Sequence, residues 1–240
     1  MIFRKIKNKL FKDKNILDSK VIEANNIEEI NKHFGWMEKI NFKKDGVSNY
    51  QYLEDINERR LRDAEVLGTV VCNAYSKTIL EIGTSTGATT VYLAKNAPQS
   101  HIFTVNIPAK DIYNGKGGIN TTIALEEAEI GKEYKKLGLE NITQIYENTA
   151  TWEPNIGKID VAFIDGSHDT KFVFNDTVKV LKNMPSGSFI MWHDFNPALR
   201  KKFHWIDDVC KAIEILYRKD YLSDRIFVLK DSWIGLYRVP

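Results

Sequence analysis

From Thr78 onward the chain switches repeatedly between two hydrophobic periods. This alternation limits the available folds more than any other feature. Short apolar runs of strand type occur at 78–82, 101–107, 141–147, 158–165, 187–194, 225–230 and 233–239. Helix-type segments separate most of them, at 88–97, 123–138, 171–184 and 203–219. Strands that alternate with helices form a parallel sheet covered on both faces, joined by right-handed crossovers. No helix separates the last two runs, so that pair is expected to be antiparallel. Before the first strand, Ile56, Leu61, Ala64, Leu67, Val70, Val71 and Ala74 recur mostly at helical spacing. Residues 1 to about 50 have no clean period and read as short helices and loops that cap a site. The expected organisation is an N-terminal helical segment, 1–51, and a main α/β domain, 52–240.

A chain of 240 residues suits one well-buried α/β domain. Its net charge is only +2, and no basic stripe interrupts the pattern, so nucleic acid is not an expected partner. The first fifteen residues are basic but lack the continuous apolar core of a signal peptide. They read as a solvated end, with a weak membrane-surface anchor as the alternative. No apolar run is long enough for stable membrane insertion. Cys72 and Cys210 read as free buried thiols in a reducing compartment, and the expected location is cytoplasmic.

In a sheet of this kind ligands bind beyond the carboxyl ends of the strands. Polar residues cluster there: Glu81, Asn106, Glu147-Asn148-Thr149, Asp165-Gly166-Ser167-His168 and His193-Asp194. The turn Gly83-Thr84-Ser85-Thr86-Gly87 after the first strand has three readings. It fits G-x-S-x-G, the elbow of a serine hydrolase, and Ser85, Asp165 and His193 follow the catalytic order of that class. Against this, little before Thr78 looks like strand, no oxyanion segment precedes the turn, and Glu81 has no role in an elbow. It fits a dinucleotide loop poorly, because Ser85 and Ala88 replace glycines and Asn106 replaces the acid.

The third reading fits best. E-x-G-x-S-x-G at Glu81–Gly87 resembles the cofactor loop of Rossmann-like S-adenosylmethionine-dependent methyltransferases. YENTATW (146–152) and the block from VAFIDGSH (161–168) to IMWHDF (190–195) resemble the later motifs of small-molecule O-methyltransferases in that family. The likeness covers about Tyr52 to Pro240. It implies a doubly wound, mostly parallel seven-stranded sheet ending in an antiparallel pair. It implies that S-adenosylmethionine lies against Gly83, Ser85, Gly87 and Thr89, with Ser85 a spacer. Glu81 either binds the cationic methionine end or orders the loop. Asn106 takes the ribose-binding position, where the family has an acid, and Asn148, Thr149 and Ala150 approach the adenine.

Methyl transfer from a sulfonium requires an aligned nucleophile that has lost its proton. His168 and His193 are candidate bases, with Asp194 beside them. The resemblance also maps a magnesium site onto Asp165, His193 and Asp194; the imidazole in that set suits a softer divalent cation better than Mg2+. The expected acceptor is a small molecule or sugar, and a homo-oligomer is compatible with the sequence. A cofactor-binding protein without turnover is the remaining alternative. The long segment 108–122, with Gly115, Gly117 and Gly118, is read as a substrate-facing lid. His33, His101 and His204 are read as structural.

Overall fold

A computed structural model describes residues 16–38, 58–113 and 125–240. The basic N-terminus and the glycines of the expected lid lie outside the described residues, as do residues 39–57.

All seven expected strands are present: β2 (Thr78–Ile82), β3 (His101–Asn106), β4 (Ile142–Tyr146), β5 (Val161–Ile164), β6 (Phe189–Trp192), β7 (Ile226–Leu229) and β8 (Gly235–Arg238). An eighth, β1 (Val21–Ala24), comes from the N-terminal segment and pairs in parallel with β7, Val21 opposite Ile226. The order across the sheet is β1-β7-β8-β6-β5-β2-β3-β4. Only β8 runs against its neighbours β6 and β7. The chain reverses its winding between β2 and β5, which pair directly. The crevice above those two strands is where a ligand is expected in an open α/β sheet.

Period-2 side-chain alternation divides the sheet between two cores. Leu80 and Ile82 face one side, packed with residues of α7 (Thr170–Leu181) and α8 (His204–Arg218). Ile79, Val161 and Phe163 face the other, against α3 (Glu58–Asn73) and α4 (Ala88–Asn96). Glu81 shares the second face and is fully buried within it.

The N-terminal segment holds two further helices, α1 (Leu17–Lys20) and α2 (Ile27–Phe34). Asn26 caps α2 by accepting from Glu29 N, and Glu29 reaches back to Asn25 N at 3.0 Å, a reciprocal cap. Gly35 closes the helix in the left-handed region. Phe34 and Trp36 then stack on each other, and they meet Phe189, the first residue of β6, edge-on and at a tilt. Residues 34–38 therefore pack at the amino ends of the strands, opposite the polar strand termini.

One expected helix is much shorter than its sequence pattern. The run 123–138 is expected to be helical throughout, yet among its described residues, 125–138, only α6 (Lys132–Lys136) is α-helical. Gly131 takes φ +69°, and a Cβ there would lie 2.3 Å from the Tyr134 ring, so the helix starts after it. A five-residue helix, α5 (Ala109–Tyr113), follows β3. Both cysteines are free, Cys210 buried as expected and Cys72 only half-buried. No helix among the described residues is long and apolar enough to cross a membrane.

Candidate active site

The turn after β2 is built for close approach of main chain. Gly83 has φ +105°, and a Cβ on it would fall 2.0 Å from the Asp165 carbonyl oxygen. Ser85 also takes positive φ, and its N–H donates to Asn106 Oδ1 at 3.0 Å. At Gly87 a Cβ would meet Tyr134 and Gly131 at 2.8 and 2.9 Å. The other side of the turn is held by the 131–133 backbone: Gly131 N donates to Ser85 O and Glu133 N to Thr86 O. These bonds explain why Gly131 departs from helix geometry.

Glu81 lies behind the turn, not in front of it. Its Oε2 accepts from Thr90 and Thr104, both at 2.5 Å, and Thr104 also pairs with Thr84 of the turn. Burial pushes its carboxyl up to about 8, against the lowering effect of the two threonine hydroxyls. Of the two roles expected for Glu81, this placement matches ordering of the loop.

A cavity of about 240 Å³ opens beyond the strand ends. Gly83, Ser85, Asn106, Asn148, Thr149, Asp165 and His168 line it, with Val105, Ile107, Leu125 and Phe172 as apolar walls. Of the residues expected to contact a cofactor, Glu81, Gly87, Thr89 and Ala150 do not line this cavity. Gly87 starts α4, and Ala150 N is held by Asn148 Oδ1. Lys179 fixes the loop after β4, donating to Thr149 O, Ala150 O and Trp152 O. Sequence reasoning did not identify Leu125, Phe172 or Lys179, because they are ordinary members of their segments.

Asp165 and His168, which line one end of the cavity, converge with His193 and Asp194, which do not line it. His168 Nε2 is 2.9 Å from Asp194 Oδ2 and 3.8 Å from Asp165 Oδ1. His193 Nδ1 is 3.1 Å from Asp165 Oδ1 and 3.5 Å from Asp194 Oδ2. Although these separations are short, neither buried nitrogen has a hydrogen-bond partner of acceptable angle. The donor atoms of Asp165, His168 and His193 all lie within 4.8 Å of one another. Asp194 sits in the left-handed region, at φ +54°, which turns its carboxylate back toward the cluster.

Charge pairing sets the protonation. Burial opposes a proton on either imidazole, but Asp165 and Asp194 outweigh it, raising His168 to about 9 and His193 well above its ordinary value. Burial likewise opposes charge on both acids, yet His193 and His168 hold Asp165 and Asp194 below the usual carboxylate range. Without a competing cation, both imidazoles carry protons at neutral pH and neither is a ready base. Two unsatisfied nitrogens facing two carboxylates fit a divalent cation, which would displace those protons.

A second cavity, about 120 Å³, lies on the α3 side of the cluster and is lined by Arg59, Arg60, Asp63, Thr89, Asp165 and His193 among others. Asp63 is buried, and its Oδ2 is 3.6 Å from His193 Nε2. It accepts from Arg59, Ser232 Oγ and Trp233 N. Sequence reasoning missed Asp63; its only signal was an acid next to the apolar stripe of α3, 130 residues before the histidine it faces. His101, read as structural, pairs with Thr143 across β3 and β4.

The serine-hydrolase arrangement is not formed. Among the described residues no imidazole pairs with Ser85, and His193 instead faces Asp63, Asp165 and Asp194.

Residues 80–195 match a family model described as a methyltransferase domain. No curated protein sequence matches the chain. Among solved structures it is similar to the O-methyltransferase NovP, at 12% identity and TM-score 0.59 over 75% of this chain and 80% of that one. It is similar to the O-methyltransferase TomG from Streptomyces achromogenes, involved in tomaymycin synthesis and solved in complex with SAM. The values there are 12% identity and TM-score 0.53, over 90% of this chain and 97% of TomG. Cofactor-bound Rv0187 from MTB has 16% identity and TM-score 0.52, over 80% and 86%. At such identities the likeness is one of fold.

Proposed function

We propose that the chain moves the methyl group of S-adenosylmethionine to a hydroxyl oxygen of a small molecule or sugar, a reading supported by the match of residues 80–195 to a methyltransferase-domain model. The observation that carries this reading is the cavity that runs from the Gly83–Ser85 main chain to Asp165 and His168, the two members of the histidine–aspartate cluster that line it. NovP and TomG, named as O-methyltransferases, support the choice of oxygen.

The cofactor supplies a methyl electrophile on sulfonium. The chain supplies position and charge. Gly83 and Ser85 present bare main chain to the ligand, Asn106 faces its ribose, and Asn148 and Thr149 face its adenine. Asp165 stands where the cationic sulfur end meets the acceptor. The acceptor hydroxyl docks at His168, His193 and Asp194, in line with the methyl group. Asp165, His193 and Asp194, joined by His168, would hold a divalent cation, and the chemistry such an ion supplies is a lowered pKa for a bound hydroxyl.

Calorimetry with S-adenosylmethionine and S-adenosylhomocysteine tests the cofactor. Methyl-labelled cofactor incubated with a panel of phenols, hydroxy acids and sugars tests the acceptor. His193→Ala, which removes a group that would hold the cation, should lower turnover by at least about 10–100-fold. Absence of cofactor binding, or full turnover in His193→Ala, removes the proposal. Label appearing only in nucleic acid or protein removes the small-molecule acceptor.

A further inference from the structure

We propose that the cluster at the ends of β5 and β6 binds a first-row transition ion of the cobalt–zinc class in preference to magnesium, with His168 as a ligand and Asp63 as the residue that positions His193. This deepens the methyl-transfer reading and rests on it only for what the ion would activate.

The donor set decides the ion class. Magnesium takes oxygen ligands and holds water tightly, whereas imidazole suits the later first-row ions. Two of the four converging donors are imidazole nitrogens, His168 Nε2 and His193 Nδ1. Both are buried and lack a hydrogen-bond partner despite nearby carboxylate oxygens. If the cluster only balanced charge, its N–H groups would point at those oxygens. The ligand atoms of Asp165, His168 and His193 lie within 4.8 Å of one another, close enough to share one cation, with Asp194 Oδ2 beside His168 Nε2.

The spacing agrees. Zinc-type bonds of about 2.0–2.1 Å place neighbouring ligand atoms about 2.9 Å apart at right angles and about 3.3 Å apart in a tetrahedron. The nitrogen–oxygen separations of 2.9 and 3.1 Å fall in that range, and those of 3.5 and 3.8 Å would have to shorten as an ion drew the donors in.

The surroundings of His193 point the same way. A metal-binding imidazole commonly turns its other nitrogen to a carboxylate, which fixes the ring and makes it a better ligand. Asp63 Oδ2 lies 3.6 Å from His193 Nε2. The Asp63 carboxylate is itself held by Arg59 at 2.9 Å, Ser232 Oγ at 2.8 Å and Trp233 N at 2.7 Å. Arg59 lies over the Trp233 ring, 4.4 Å from its centroid. That is an extended support for one carboxylate, and it ends at the ring nitrogen that does not face the cluster.

The test uses full-length protein stripped with chelator and titrated with Co2+, read by the visible d–d absorption of the bound ion. We expect one Co2+ per chain, displaced by Zn2+ but not by millimolar Mg2+. His168→Gln should change the cobalt spectrum and weaken binding at least tenfold. Asp63→Asn should weaken it about 10–100-fold while leaving the number of ligands, and so the band intensity, unchanged. Displacement by Mg2+ at concentrations similar to Zn2+, or no Co2+ binding at all, overturns the proposal in the parent protein without recourse to variants. An unaltered spectrum and affinity in folded His168→Gln overturns the ligand assignment. S-Adenosylhomocysteine titrated into the same samples separates the two readings: cofactor binding without cobalt sinks this inference alone, and cobalt without cofactor sinks the methyl-transfer reading alone.

Discussion

Replacing Glu81 by glutamine isolates the protonation of one buried carboxyl. Its side chain is fully buried, accepts hydrogen bonds from Thr90 and Thr104, and leaves Oε1 unpartnered. Burial raises the folded-state value from 4.5 to about 8. The folded state therefore holds a proton between pH 4.5 and 8 that the unfolded state has released, and stability must fall as pH rises through that window. The slope approaches about 1.4 kcal/mol per pH unit, so the loss between pH 5 and 7 is about 2–3 kcal/mol. For a chain of this size that corresponds to roughly 5–10 °C in Tm. Glutamine keeps one oxygen for the threonines and carries no proton to lose. The quantity to measure is the difference in unfolding free energy between Glu81→Gln and the parent, by urea titration at pH 5, 6, 7 and 8. Relative to the parent, the variant should gain stability steadily with pH, whatever its offset at pH 5. Parallel curves would mean that Glu81 is charged in the fold at neutral pH. The loop-ordering role would then give way to direct pairing with the cofactor's ammonium.

Gly83→Ala should abolish measurable cofactor binding and lower stability by roughly 2–4 kcal/mol, since its Cβ would lie 2.0 Å from a backbone oxygen; calorimetry and thermal unfolding read the two effects separately. Gly131→Ala should weaken cofactor binding by perturbing Tyr134 and the bonds to Ser85 and Thr86; an unchanged dissociation constant would show that the 131–133 segment does not support the turn. Ser85→Ala removes only a hydroxyl and should keep methyl transfer within a few-fold. Ester hydrolysis present in the parent and lost in Ser85→Ala would reinstate the nucleophile.

The sheet was legible because most of its seven main strands are apolar runs bounded by polar or small residues and are buried in the structure; β4, ITQIY, is the exception, with no buried residue. Strand β1 was not: VIEA is four residues long at a sheet edge, too short for period 2 to stand out, and its partner lies some 200 positions away. The helix expected over 123–138 is cut short because its apolar spacing is helical while Gly131 is diverted by hydrogen bonds to a distant turn. In the site, the strand-end acids and histidines were visible as a set because topology places every strand terminus on one rim. Their pairing was not. That His168 faces Asp194, and that His193 turns its second nitrogen toward Asp63, depends on the backbone turn at Asp194 and on where α3 crosses the sheet.

The absent Cβ at Gly83 has a final consequence. On the proposed reading, the turn that receives the donor and the strand end that meets the acceptor touch through bare backbone, with no side chain between them to enlarge, shrink or slide. On that reading, a change of acceptor comes only from rebuilding the periphery, in the helices and loops around the rim. The partition at the centre has no room to drift.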